Sequence, residues 1–567
     1  MDDVLVTDVS LVDGTGSPAR TTNVAWADGR VTTVDAAADH PASTVIDGTG
    51  LVLCPGFIDP HTHYDAQLLW DPDATPSNAH GVTTVISGNC GFTLAPLLPG
   101  DGDYLRRMMA KVEGMPLPAL EAGGEWEWES FEDYLAMFDG GLGVNAAFMV
   151  GHCALRRQVM GPSSVGSAAT PEQIDAMVAL LHQSLDAGGL GFSTTLSRTH
   201  SDGDGQPVAS RWAETDELLA LAVAVGQHPG TQLEFASDGC LDGFDDAEIE
   251  FMIAFATAAG RPLNWNVLTV DAAAPERVAN QLAAMDRCRA AGAHVVALTM
   301  PILVGMNMSF STYCALNMLP DWGQILGLPP VARLACLRDP AVRRWMEERA
   351  ASPEAGVFAR LTGWDGYVIG DTFADRSLSG ARVGDLAAER GVRPFDALLD
   401  VIVADELRTV LWPSPTDNDD ASWALRAEVW EHPSVMIGGS DAGAHLDRMC
   451  GAPYPTVWLA DCIRGRRLTT MERAVHHMTG RPAELFGLHD RGQVVQGAVA
   501  DLVLFDPATI DAGPVHMVAD LPADTSRLVA DPIGIRSVWL AGAEIVRDGV
   551  GNGQLTGRVL RSGVDTR

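Results

Sequence analysis

The sequence is poor in basic residues. It has 38 Lys and Arg residues against 74 Asp and Glu residues, which gives a formal net charge of −36 at pH 7. A field of this sign repels phosphate backbones and anionic lipid surfaces. Nucleic acids and membranes are therefore poor candidates for its partners.

Long apolar runs and paired cysteines are also absent. No run approaches the length of about 20 residues that spans a membrane, and residues 1–14 lack the basic and apolar parts of a secretory signal. The nine cysteines are irregularly spaced without a CxxC pair, unlike a disulfide framework. We therefore expect a cytoplasmic protein in which any functional cysteine acts as a thiolate.

Short β-rich segments are present at both ends of the chain. Residues 4–12, 23–34 and 43–53 are separated by turn signals such as Asp28-Gly29 and predict a small antiparallel sheet. Similar segments return at 492–505, 537–541 and 544–550. We expect the two ends to build one sheet together.

Between the ends, apolar runs alternate with helix-length segments at 171–187, 214–225 and 274–291. This alternation is typical of parallel strands with crossover helices, and it predicts an α/β fold, a (β/α)₈ TIM-like barrel. The predicted barrel strands are 56–59, 81–87, 144–151, 189–193, 230–235, 262–268, 294–300 and 435–440. The predicted domains are 1–53, a barrel at 54–484 with insertions near 99–140 and 301–432, and 485–567.

Two histidines follow the first predicted strand. His61 and His63 are two residues apart, so in an extended chain both imidazoles point to the same side, into the barrel mouth. Burying two such rings without a partner is costly. We therefore predict that they bind a divalent metal, rather than being two satisfied histidines near a turn.

Asp441 follows the last predicted strand and is succeeded by small residues that leave room for a ligand. In a metal site this carboxylate can bind the cation and accept a proton from water. The alternative, an aspartate that caps the next helix, is less consistent with these flanks. We predict that Asp441 is catalytic.

Cys90 ends the second predicted strand, between Gly88 and Gly91. A buried cysteine is usually an inert small hydrophobe. At a strand end, a cation held by the two histidines would stabilise its thiolate. The spacing alone leaves both interpretations open.

These motifs resemble those of the D-aminoacylase (N-acyl-D-amino-acid deacylase) branch of the amidohydrolase superfamily. The similar stretches are GFIDPHTHYD at 56–65, GVTTVISGNCG at 81–91, VGH at 150–152 with Leu155-Arg156, and GGSD at 438–441. The resemblance covers nearly the whole chain. It implies that Cys90 replaces, as a metal ligand, the carboxylated lysine of other amidohydrolases.

The resemblance also implies the rest of the architecture and the activity. Members carry a small β-sandwich built from both chain termini, and GAVADLVLFD at 497–506 resembles its C-terminal half. The implied cofactor is zinc, the implied reaction is amide hydrolysis, and the implied substrate carries a free carboxylate beside the scissile bond.

The sequence departs from this branch at strands five and six, where the branch supplies metal-binding histidines. Alternation places Gln232 with Glu234, and Asn264 with Asn266, on the inner face. Neutral amides are poor zinc ligands, so we expect one zinc ion and a weakened or lost second position. Glu234 is a candidate ligand or acid/base group, or else a buried carboxylate that the paired amides hydrogen-bond.

Other polar residues near the predicted strand ends are candidates for substrate contacts. His152 follows strand three and either contacts substrate or is a core histidine. Arg448 can pair with a substrate carboxylate, with a surface arginine as the alternative. Tyr313 is a candidate pocket residue, and His200 and His445 are weaker candidates.

The combined prediction is a zinc-dependent amidohydrolase that deacylates N-acyl (D-)amino acids or related amides, which are small-molecule substrates. Zinc would be held by His61, His63, Asp441 and Cys90, with Asp441 moving the proton. Two alternatives remain: a metal-dependent lyase or isomerase on the same barrel, and a metal-free scaffold.

Overall fold

The structure is a computed structural model that describes residues 1–312 and 314–567. Tyr313, a predicted pocket residue, lies outside the described residues. The chain divides into two compact units, one of Met1–Ile302 with Trp423–Arg567 and one of Leu303–Ser422. Within the described ranges, no helix combines the length and the apolar character needed to cross a membrane.

The strands are short in most of the chain. In chain order they are β1 (Asp2–Leu11), β2 (Arg20–Ala27), β3 (Arg30–Val34), β4 (Ala42–Asp47), β5 (Val52–Pro55), β6 (Phe57–Asp59), β7 (Val82–Ser87), β8 (Asn145–Phe148), β9 (Val150–Gly151), β10 (Gly191–Thr195), β11 (Gln232–Ala236), β12 (Leu263–Trp265), β13 (Val295–Thr299), β14 (Met308–Ser309), β15 (Val368–Ile369), β16 (Val410–Trp412), β17 (Val435–Ile437), β18 (Leu502–Phe505), β19 (Asp511–Ala512), β20 (His516–Leu521), β21 (Thr525–Val529), β22 (Pro532–Ile533), β23 (Ile535–Leu540), β24 (Ala543–Arg547) and β25 (Val550–Gly551).

The α-helices separate most of the parallel strands. They are α1 (Gly102–Val112), α2 (Leu117–Ala122), α3 (Phe131–Ala136), α4 (His152–Met160), α5 (Pro171–Asp186), α6 (Thr215–Gly226), α7 (Gly239–Asp242), α8 (Asp246–Ala259), α9 (Pro275–Ala290), α10 (Gly323–Leu326), α11 (Pro330–Arg338), α12 (Pro340–Ala350), α13 (Val383–Arg390), α14 (Pro394–Ala404), α15 (Asp420–Trp430), α16 (Tyr454–Ile463), α17 (Met471–Met478) and α18 (Gly480–Leu485).

Both ends of the chain contribute to one sheet, which confirms that prediction. Its strand order is β25-β24-β23-β18-β5-β1-β2-β3, and β4 also pairs with β1. At the β2–β3 hairpin, Asp28 and Gly29 both have positive φ, as a type I′ turn requires. Trp26, Leu53 and Trp539 are buried in its core.

The prediction that the first strands are antiparallel was wrong in part. β1 pairs antiparallel with β2 but parallel with both β4 and β5. The hairpin turn fixes the direction only of the strands it joins directly. After β3 the chain returns to the far side of β1, where β4 and β5 run in the same direction as β1.

Every predicted barrel segment overlaps an observed parallel strand. β6, β7 and β8 form one parallel sheet, and β9 to β13 with β17 form another. Only Met149 separates β8 from β9. The eight predicted strands therefore follow one another in chain order across these two sheets.

The three helices predicted between these strands are confirmed as α5, α6 and α9. At α5 the Thr170 side chain accepts a hydrogen bond from the Gln173 backbone, and the Gln173 side chain accepts one from the Thr170 backbone N–H. Pro171 occupies the first turn, where no N–H is needed. The local sequence thus specifies where this crossover helix begins.

The ends of the first and last parallel strands lie side by side. The His63 backbone N–H, past β6, donates to the Ala442 carbonyl, past β17, at 2.7 Å. Gly443 permits this approach, because a Cβ at that position would lie 2.5 Å from the His63 carbonyl carbon. The candidate histidines and aspartate are thereby brought together.

The unit Leu303–Ser422 has its own core. β14, β15 and β16 form a small antiparallel sheet. Trp322, Trp364 and Phe395 are buried beside one another, with ring centroids 4.9 to 5.9 Å apart. This segment therefore has a hydrophobic core of its own.

The close approach of β10 and β11 predicts that adding one methyl group at Gly191 lowers the stability of the protein strongly. In Gly191→Ala the new Cβ would lie 2.0 Å from the Gln232 carbonyl oxygen, so the strands must separate. We expect a loss of about 3 kcal/mol or more in the free energy of unfolding, measured by denaturant titration. Gly205→Ala is the control, since Gly205 also has positive φ but open space around it; about 1 kcal/mol is expected there. Equal losses would show that backbone strain, not collision, dominates.

Candidate metal centre

His61 and His63 lie in the segment that follows β6, and their side chains share one buried space. Their side chains are 0% and 2% exposed. The ring centroids are 5.2 Å apart with an edge-to-face angle of 76°. Each Nδ1 is buried without a hydrogen-bond partner in the described chain, whereas both Nε2 atoms face the polar groups described next.

Cys90 joins the two histidines. It lies in the short 3₁₀ turn Asn89–Gly91 after β7, and its Sγ is 3.7 Å from His61 Nε2. One ligand atom from each of His61, His63 and Cys90 can be chosen so that all three lie within 4.8 Å of one another. The geometry favours the ligand interpretation that spacing left open.

Asp441 faces the same point. Its Oδ1 is 3.3 Å from His61 Nε2 and 3.8 Å from His63 Nε2. It does not begin a helix, because the next helix, α16, starts at Tyr454. The helix-capping alternative is therefore excluded.

Two candidate ligands, Cys90 and Asp441, and the nearby His445 have a left-handed backbone. The φ angles are 56° at Cys90, 52° at Asp441 and 52° at His445. Aspartate and histidine are among the residues that tolerate this region, but cysteine adopts it at a cost. Such strain persists only where the surrounding structure holds it, and it clusters at functional sites.

Glu234 of β11 lies beside the centre, in contact with Cys90. Its Oε2 accepts a 2.9 Å hydrogen bond from the Cys90 backbone N–H, and its Oε1 is buried without a partner among the described residues. The alternative in which Asn264 and Asn266 hydrogen-bond this carboxylate was wrong. Asn264 donates instead to the Leu233 carbonyl.

Asn266 lies beside the candidate ligands. Its Nδ2 is 3.5 Å from both His61 Nε2 and Cys90 Sγ, and its Oδ1 is buried without a partner in the described chain. The amide therefore occupies a wall of the centre, next to the atoms that would bind a cation.

Glu113 is a member of the centre that sequence reasoning missed. It follows α1 in the predicted first insertion, is 3% exposed, and places its Oε2 3.5 Å from His63 Nε2. A glutamate at a helix end is ordinary in a sequence, so nothing in the pattern marks it. Only the fold of the insertion shows where its carboxylate lies.

The charge states of the centre follow from burial. Burial lowers the pKa of His61 to about 3 and that of His63 well below its usual range, so both rings are neutral and can bind a cation. Burial, with the Asp59 carboxylate as a second cause, raises the pKa of Asp441 to about 7. Burial and then Asp441 raise the pKa of Glu113.

The residues present fit a divalent cation. Two neutral imidazoles, a thiol and buried carboxylates converge, and burial raises the pKa of the Cys90 thiol, of Glu113 and of Glu234. A cation would reverse these shifts, because it stabilises the thiolate and the carboxylates. Glu234 Oε1 and Asn266 Oδ1 are buried without a partner among the described residues, so oxygen lone pairs are available beside the cluster.

His152 lies elsewhere. It begins α4 and is fully buried, with Nδ1 2.8 Å from the Thr194 hydroxyl and Nε2 2.7 Å from Glu217. Arg156 also donates to Glu217. Both ring nitrogens of His152 are thus occupied by protein partners, as in the core-histidine alternative.

Arg448 and two weaker candidates lie close to the centre. The Arg448 side chain is only 12% exposed, and its Nε donates to Asp447 at 2.8 Å. The His445 backbone N–H donates to the Glu113 carbonyl. His200 is partly buried, with Nδ1 2.8 Å from the Thr195 hydroxyl.

Known proteins share this sequence and fold. Residues 44–546 match the amidohydrolase family. A D-aminoacylase from Alcaligenes xylosoxydans xylosoxydans is 30% identical over 565 residues, which cover 98% of this chain and 97% of that protein. The chain belongs to the amidohydrolase family, in its D-aminoacylase branch, which confirms the resemblance.

Solved structures of the branch are similar over the whole chain. A structure of D-aminoacylase, described with a binuclear metal center, has a TM-score of 0.65 and 26% identity, covering 99% of this chain and 100% of that one. The crystal structure of N-acyl-D-glutamate deacylase from Bordetella bronchiseptica, complexed with zinc and a phosphonate inhibitor, has a TM-score of 0.64 and 25% identity with the same coverage.

The geometry predicts how metal content depends on the ligands. We expect about one zinc ion per purified chain and none in a His61→Ala/His63→Ala double variant, measured by elemental analysis. Replacing zinc by cobalt(II) should give a near-ultraviolet thiolate-to-cobalt band, which Cys90→Ser removes.

Cys336→Ser is the matched control for this band, because Cys336 is a partly exposed cysteine in the other unit. A band that survives Cys90→Ser would exclude Cys90 as a ligand. Two zinc ions per chain would show that other donors complete a second position.

Proposed function

We propose that the protein is a zinc-dependent amide hydrolase that deacylates N-acyl amino acids. The observation that carries the proposal is the convergence of His61, His63, Cys90 and Asp441 in a chain of the D-aminoacylase branch. Relatives of this branch include N-acyl-D-aspartate and N-acyl-D-glutamate deacylases. The reaction consumes one water and yields a carboxylate and a free amino acid.

His61, His63, Cys90 and Asp441 would hold the ion. When bound, zinc supplies Lewis acidity, which polarises an amide carbonyl and lowers the pKa of water. One ion is proposed, because strands five and six offer Glu234 and amides instead of histidines. Glu234 would complete a weaker second position or serve as a further acid/base group.

Asp441 would carry the proton. Its Oδ1 lies 3.3 Å from His61 Nε2, so the carboxylate would face both the ion and a water beside it. A carboxylate in this position can take up a proton and release it again. The carboxylate takes a proton from the attacking water and returns it to the nitrogen of the leaving amine. One residue thus acts as base and then as acid.

Arg448 would recognise the free carboxylate of the substrate. A guanidinium presents two parallel N–H donors to a carboxylate, and burial strengthens such a pair. Gly114 leaves space for it, since a Cβ there would lie 3.0 Å from the Arg448 guanidinium carbon. The substrate would therefore be fixed between Arg448 and the metal centre.

The predicted architecture completes the proposal. We infer that the two parallel sheets close into one (β/α)₈ barrel, supported by the hydrogen bond from His63 to Ala442. Residues 1–53 and 485–567 would form the two halves of a β-sandwich beside a barrel at 54–484. The candidate centre would then lie at the carboxyl ends of the strands, where such barrels carry their active sites.

A substrate panel tests the reaction. With N-acyl-D-amino acids and their L-isomers, we expect release of one amine per acyl group, detected with an amine-reactive dye. Asp441→Asn keeps the size but loses the base, so its kcat should fall by about 10²- to 10⁴-fold. Asp216→Asn, at an exposed position of α6, should retain the parent kcat.

A different product would redirect the assignment. A product formed without incorporation of ¹⁸O from labelled water would identify a lyase or isomerase. A chain without metal and without turnover would identify a scaffold.

The proposed role of Arg448 predicts how its replacement changes the binding of the substrate carboxylate. In Arg448→Met the KM for an N-acyl amino acid should rise about 10- to 100-fold, while the KM for the corresponding amino-acid amide should change little. Arg448→Lys keeps the charge but loses the paired donors, so it should recover part of the difference. An equal rise for both substrates would contradict carboxylate recognition.

A further inference from the structure

We propose that Glu113 is a further ligand of the metal centre, supplied by the segment that follows β7. The proposal rests on the function proposed above, because it concerns the same zinc ion. The proposal adds the Glu113 carboxylate to the ligands, from a helix end between β7 and β8 and not from the end of a strand.

The backbone holds Glu113 in a fixed place. Its N–H closes the last turn of α1 by donating to the Met109 carbonyl at 2.9 Å, and its carbonyl accepts the His445 N–H at 2.5 Å. Gly114, with φ +59°, follows at a point where a Cβ would lie 3.0 Å from both Arg448 and His445. Glu113 is therefore fixed to the loop that carries Asp441.

The ring nitrogen of His63 that Glu113 contacts shows whether Glu113 is placed as a metal ligand or only as a residue that orients His63. A carboxylate that only orients a metal-binding histidine contacts the ring nitrogen that faces away from the ion. Here both Nδ1 atoms of His61 and His63 are without partners in the described chain, and the Glu113 carboxylate meets His63 Nε2. That is the nitrogen which also faces Asp441.

The two carboxyl groups beside His63 favour a bound cation. Glu113 Oε2 and Asp441 Oδ1 lie 3.5 and 3.8 Å from His63 Nε2. Among the described residues, His63 is the one basic side chain within 4.0 Å of the Glu113 carboxylate. Glu113 is buried and Asp441 is partly exposed, so an ionised Glu113 beside a neutral imidazole is costly without a positive charge. A bound divalent ion would supply that charge.

Zinc affinity is the test. The metal-free full chain is titrated with zinc in competition with a chromophoric chelator, and the same is done for Glu113→Gln. This change keeps the shape but removes the anionic oxygen, so we expect zinc to bind at least about 10-fold more weakly. Glu121→Gln, on the exposed face of α2 in the same segment, is the matched control and should bind as the parent does.

Thermal unfolding of the metal-free protein distinguishes a ligand from a residue that only supports the fold, because the two roles change the unfolding temperature in opposite directions. If Glu113 is a ligand, the metal-free Glu113→Gln variant unfolds at the same or a higher temperature than the metal-free parent, because one uncompensated carboxylate is gone. The rise in the unfolding temperature on adding zinc is then smaller than in the parent. If Glu113 only packs the insertion, the metal-free variant unfolds at a lower temperature and zinc affinity is unchanged.

The outcomes separate this proposal from the function it rests on. A parent chain that binds no zinc overturns both. A parent that binds zinc, with Glu113→Gln equal to Glu121→Gln, overturns the role of Glu113 alone. If Glu113→Gln does not fold, Glu113→Asp replaces it: the charge is kept, the carboxylate is withdrawn by one methylene, and parent-like zinc affinity would overturn the proposal.

Discussion

The backbone hydrogen bond from the His63 N–H to the Ala442 carbonyl is the contact on which the candidate centre depends. It joins the chain just after β6 to the chain just after β17, and the two residues are 379 positions apart in sequence. Glycine makes the approach possible at two points: a Cβ at Gly443 would overlap the His63 carbonyl, and a Cβ at Gly438 would lie 2.4 Å from Pro60. Once these strand ends meet, His61, His63 and Asp441 have little freedom to lie anywhere else.

Strand positions could be read from the sequence because buried parallel strands are nearly continuous apolar runs. This signal located β6 to β13 and β17, and the strand-end rule then placed His61, His63 and Asp441 together. Alternation also assigned Glu234 and Asn266 to one face, and in the structure both contact Cys90. The relative direction of the strands was less predictable, because nothing in residues 43–53 specifies that β4 and β5 run parallel to β1.

Contacts made by insertions and helix starts could not be predicted in the same way. Glu113 reaches the centre through the fold of a segment between two strands, and its local pattern is that of any helix end. His152 follows a strand in sequence, but α4 begins at this residue and turns its ring toward Thr194 and Glu217. Sequence spacing gives only how far apart two residues are along the chain. The positions of the Glu113 and His152 side chains depend on how the backbone turns after the preceding strand, which spacing does not show.

The left-handed backbone at Cys90 places fold stability and chemistry in opposition. Glycine would relieve the strain at this position, and asparagine would relieve part of it, so both would be favoured by selection for heat resistance alone. The same replacements would delete the thiol from the centre. Directed evolution of this chain toward thermostability should therefore be run with an activity screen in every round, since otherwise the fittest variants will be well-folded proteins with a damaged centre.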